Sequence, residues 1–84
     1  MRLYKLVVQY GDREDFVPFL FIMRRNYNRP GWRVKAMDLS INREYKTEEL
    51  TPKNDNAYDV AMMWLDLHAD LTGSSIRNFE EVKL

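Results

Sequence analysis

Twelve consecutive residues, Arg24 to Lys35 (RRNYNRPGWRVK), hold five cations, two aromatic rings and two asparagines without a single acid. That mixture suits nucleic acid: Arg and Lys neutralise phosphates, and exposed aromatics stack on bases. Arg24, Arg25, Arg29, Arg33 and Lys35 are therefore the expected contacts if the partner is nucleic acid. No recognised nucleic-acid motif accompanies them. The competing reading buries Tyr27 and Trp32 as anchors and fans the arginines into solvent above them.

A second grouping lies at helical spacing. Asp59, Asp66 and Asp70 gather in one narrow stripe, flanked by Met62 and Met63. Asp66 and Asp70 stand one turn apart, but an oxygen-ligated cation needs several ligands converging on one point, and no EF-hand spacing is present. The stripe reads as a solvated helix face, and no metal site is expected. Met, aromatic and Arg side chains are enriched at interface centres. Tyr27, Trp32, Asp59, Met62, Met63, Asp66 and Asp70 are thus the expected contacts if the partner is a protein.

Catalysis finds little to work with. Cysteine is absent, which excludes disulfides, thiolate metal sites and a cysteine nucleophile. The one histidine, His68, projects into an apolar helix face and reads as a core residue. The three glycines are isolated, so no phosphate-cradling loop exists, and Glu48-Glu49 and Glu80-Glu81 fall in polar segments. No catalytic residue, cofactor or enzyme activity is expected.

The elements that must position these residues emerge from periodicity and punctuation. Arg2 to Tyr10 (RLYKLVVQY) reads as a strand closed by Gly11-Asp12. Asp15 to Tyr27 reads as a helix: Asp15 caps it, Pro18 sits in its first turn, and Arg24-Arg25 suit its C-terminal dipole. The same run also reads as a strand covered on both faces, with Pro18 near its start. Trp32 to Asn42 alternates, but its apolar parity switches between Ala36 and Met37, which predicts a bulge or a strand passing from one covered face to the other. Residues 43–56 read as a loop. A helix over 57–72 starts at Asp55 or Asn56, stops at Gly73, and directs Val60, Ala61, Trp64, Leu67 and Leu71 to one face. Residues 76–84 read as a last strand.

This order predicts an α+β fold: a single small domain over 1–84, with a three-stranded sheet and two helices on one side. Its first two strands would run parallel through a right-handed crossover. The alternative is an antiparallel β-meander plus one helix at 57–72.

Net charge is zero, with 13 basic and 13 acidic residues, yet residues 1–35 carry eight cations against three acids, a formal +5 balanced by −5 in the rest. Such asymmetry raises the expectation of a charged partner. The longest apolar run, Phe16 to Met23, is far short of the ~20 residues a membrane helix needs, and no signal-peptide pattern opens the chain. A cytoplasmic protein with no membrane partner is the resulting expectation. The functional expectation is a small non-enzymatic regulator, an adaptor or inhibitor of a larger protein or complex. Accessory proteins of bacteria and their phages offer the analogy. Nucleic-acid binding is the alternative, and self-association of oppositely charged halves is a third possibility.

Overall fold

The computed structural model describes residues 2–9, 16–68 and 75–82. Its strands are β1 (Arg2–Gln9), β2 (Phe16–Arg25), β3 (Trp32–Asp38), β4 (Arg43–Glu44), β5 (Glu48–Leu50) and β6 (Ser75–Val82), with one helix, α1 (Ala57–Leu67). They form a six-stranded sheet in the order β4-β3-β2-β1-β6, with β5 also paired to β3. Every ladder among the described residues is antiparallel.

The expected three-stranded sheet with two helices is therefore incorrect, and so is its parallel pair. The meander with one helix is what forms. The decisive segment is β2, in place of the expected first helix. Its ten residues lie between two neighbours, β1 and β3. Their alternate side chains enter two different environments. Val17, Phe19, Phe21 and Met23 are buried, while Pro18, Leu20 and Ile22 are half-buried on the opposite face. Pro18 survives inside the sheet because its carbonyl accepts from Leu39 N–H at 2.9 Å. Carbonyl and N–H of one strand residue point the same way. The missing N–H thus faces Leu39, just past the end of β3 at Asp38, so the gap falls at the end of the β2–β3 ladder.

β3 keeps a single parity, so the expected bulge is also absent. Trp32, Val34, Ala36 and Asp38 are buried and Met37 lies on the other face. Asp38 tolerates burial at 3 % exposure because its Oδ1 accepts from Ser40 N at 2.9 Å and Ser40 Oγ at 2.5 Å. A register shift does occur in the β1–β6 ladder, between Val7 and Val8. Residues 43–56, expected as loop, contribute the short β4 and β5.

The helix covers one face of the sheet. Asn56 caps it, its Oδ1 accepting from Asp59 N at 2.9 Å. It stops at Leu67, earlier than expected, because His68 is already extended (φ −101°, ψ 103°). The expected Asp15 cap, the Gly11-Asp12 turn and the Gly73 stop lie outside the described residues. Val60, Ala61, Trp64 and Leu65 pack against the inward rows of the sheet. Trp64 is fully buried, edge-on to Phe19 (5.8 Å between centroids), Phe21 (5.2 Å) and Tyr45 (4.9 Å). Burying one such side chain contributes roughly 3 kcal/mol. That is a large share of the ~5 kcal/mol expected of so small a domain.

Candidate functional site: the uncovered face of the sheet

The helix occupies one side, and the register fixes what the other side shows. Across the sheet, one outer row runs Lys35, Ile22, Leu3, Val82 and the next runs Glu44, Met37, Leu20, Lys5, Glu80. A third holds Pro18, Val7 and Asn78. Leu3, Val7, Pro18, Leu20, Ile22, Met37 and Val82 are all half-buried. Among the described residues no element packs over them. A contiguous apolar surface of this kind on a small domain marks an interaction site.

One end of this face is basic. Arg24 stands directly opposite Arg33, and Lys35 is the next outward residue of β3. Arg24, Arg33, Lys35, Ile22, Met23 and Thr47 line a cleft of about 360 Å³. Lys35 Nζ lies 2.9 Å from Glu44 Oε1, whereas Arg24 and Arg33 have no acid within 4 Å among the described residues, although Glu49 stands opposite Arg33 across the β3–β5 ladder. Lys5, on β1, likewise has no acid within 4 Å among those residues, its cross-strand neighbour being Glu80.

The five cations expected to act together are divided by the strand period. Arg25 points to the other face, where its guanidinium lies 5.1 Å from the Trp32 ring and 3.7 Å from an Asp55 carboxylate oxygen. Arg29 is held by Glu49. Tyr27 sits at the tip of the β2–β3 connection, 98 % exposed. Trp32 is 4 % exposed, its Nε1 donating to Asp55 Oδ1 at 2.7 Å, so it anchors the loop and offers little surface.

The helix candidates are brought together elsewhere. Asp59, Met62, Met63 and Asp66 line a shallow groove against residues 51–54. Both methionines are half-buried against the core. Asp70 lies outside the described residues. His68 stacks on Trp64 at 4.0 Å and its Nε2 stands 3.5 Å from Glu48 Oε1, without a hydrogen bond. At the start of β1 the Tyr4 hydroxyl, then the Glu81 carboxylate 3.8 Å away, hold the Arg2 guanidinium above its ordinary pKa. Among the described residues no three His, Asp or Glu side chains converge as metal ligands.

Sequence reasoning missed the outer face itself. Its signal was available: an apolar run whose two alternate faces are both hydrophobic, beside a strand in which Lys5 falls between Leu3 and Val7. Among the described residues no helix is long and apolar enough to cross a membrane. No known family model matches the chain, and no curated protein or solved structure matches it either.

Proposed function

We propose that this is a small non-enzymatic protein-binding regulator, an adaptor or inhibitor that docks a larger protein through the outer face of its sheet. One observation carries the reading: the seven half-buried apolar side chains from four strands that lie opposite the helix, with no described element over them. Apolar centres with charged rims are the anatomy of protein interfaces. A cytoplasmic location belongs to the same proposal, supported by the cysteine-free composition.

Site-specific photo-crosslinking in the native cells tests it. A photoreactive residue at Leu20 or Val7 is expected to give one discrete protein adduct, and one at Asp66 none. Adducts at Asp66 or Met63 alone would move the interface to the helix groove and overturn the assignment.

A second reading, nucleic-acid binding at the β2–β3 end, is favoured by the Arg24–Arg33 pair, neither in an ion pair among the described residues, near the exposed Tyr27. Because Arg25 and Arg29 already have carboxylate partners, about two free cations remain, and the log–log salt slope on duplex DNA should be about −2. Five engaged phosphates would give about −4.5. Fluorescence anisotropy of labelled oligonucleotides at several salt concentrations measures that slope.

A further inference from the structure

We infer that the segment docking on the outer face is an acidic one: a peptide or helix of the partner protein that carries carboxylates at one end and aliphatic side chains along the rest. The inference rests on the protein-binding reading above and adds the chemistry of the partner.

Charge placement is the first ground. Arg24 and Arg33 are cross-strand neighbours, and like charges placed so are unfavourable unless something else neutralises them. Glu49 stands opposite Arg33 across the β3–β5 ladder but is held by Arg29, and Arg24 has no ion pair among the described residues. Lys35 lines the same cleft, already paired with Glu44. Carboxylates seated there would relieve the repulsion and accept bidentate hydrogen bonds from guanidinium groups.

The apolar character of the remaining surface is the second ground. Next to Arg24 and Arg33 come Ile22, Leu3 and Val82, then Leu20 and Met37, then Pro18 and Val7. A single strand of nucleic acid would need cations tracking its backbone and rings to stack its bases. Here no aromatic side chain is described on the face, the clustered cations stop at one end, and Glu44 and Glu80 stand at the two margins of the middle row. Phosphates would be repelled there, whereas aliphatic side chains would be accepted. An acid-ended amphipathic segment matches both halves of the surface at once.

The distance from Arg24 to Pro18 along β2 is about 20 Å at strand rise. A helix of about 14 residues covers it. The test titrates the ¹⁵N-labelled protein with three probes: a synthetic peptide of that length with Asp and Glu at one end and Leu along one face, the same peptide with Asn and Gln for the acids, and oligothymidylate. Amide shifts are expected at Ile22, Arg24, Arg33 and Lys35 with the acidic peptide. The neutral peptide should bind about tenfold more weakly, the scale of two partly exposed ion pairs. Arg24→Gln/Arg33→Gln, checked for an unchanged fold by circular dichroism, should erase that difference.

Equal binding of both peptides, abolished by Leu20→Lys but untouched by the arginine substitutions, would overturn the acidic partner and leave the docking face standing. Tighter binding of oligothymidylate would overturn it in favour of nucleic acid. No shift on the outer face with any probe would overturn both this inference and the reading beneath it.

Discussion

Arg24 and Arg33 face each other across the β2–β3 ladder, on the side of the sheet that the helix leaves bare. Two cations in direct cross-strand register weaken a sheet where two opposite charges would strengthen it. The arrangement therefore costs stability in the isolated protein, and stability given up on a surface is a mark of function.

Replacing one of the two should recover that cost. Arg24→Glu is expected to stabilise the fold by about 0.2–1 kcal/mol. The thermal midpoint should rise by a few degrees, at ~4–8 °C per kcal/mol for a domain of this size. Scanning calorimetry checks it, and a lowered midpoint would mean that the two guanidinium groups do not repel.

The sheet has one core face, and adjacent residues of β2 should report it. Phe21→Lys places a charge among fully buried side chains and is expected to abolish cooperative unfolding. Leu20→Lys, one residue away on the outer face, should keep a cooperative transition with a loss of no more than about 1 kcal/mol. Urea melts of the two variants decide the register, because a one-residue slip would reverse their order.

Trp64 ties α1 to the sheet. Trp64→Ala should cost about 3–5 kcal/mol. Little stability would then remain of the ~5 kcal/mol typical at the low end for small domains. Trp64→Phe should cost less, because the indole Nε1 has no hydrogen-bond partner to lose. Near-ultraviolet circular dichroism and denaturant midpoints distinguish the two. Equal losses would show that the indole N–H is satisfied after all.

The β2–β3 connection depends on one glycine. Gly31 has φ +109°, and a Cβ there would stand 3.1 Å from Thr51 Oγ1 and 3.2 Å from the Leu50 carbonyl oxygen. Gly31→Ala should therefore destabilise by more than about 1 kcal/mol, against the gain that glycine replacement brings where the backbone permits it. A denaturant midpoint at or above that of the parent would show that the loop relaxes freely.

Much of this fold is legible residue by residue. The alternation of Arg2 to Tyr10 marks β1, and Asn56 followed by Val60, Ala61 and Trp64 marks the start and buried face of α1. Segment 16–25 is not legible, because its end signals are satisfied by two structures. A proline near the start and arginines near the end suit a helix dipole. They equally suit a strand whose proline sits beyond its neighbour's last pair and whose arginines point to opposite faces. Asp38 and Met37 mislead for a related reason, since a local turn satisfies the buried carboxylate and a half-covered face accepts the methionine. The candidate site behaves similarly: the basic stretch is visible as composition, but only strand parity separates Arg24, Arg33 and Lys35 from Arg25.

The position of β1 bears on how the chain is made. It is the first strand in sequence, yet it lies inside the sheet, and its second neighbour β6 is the last strand. Leu3 and Val82, 79 residues apart, are paired. Closing so long a loop costs about 2 kcal/mol more chain entropy than closing a turn of eight residues, some three doublings of length. Until residues 75–82 have left the ribosome, an interior strand with Tyr4, Leu6 and Val8 on one side keeps an open edge that other nascent chains can pair with. A chain truncated before residue 75 thus loses the cover of an interior strand, and its expected fate is aggregation.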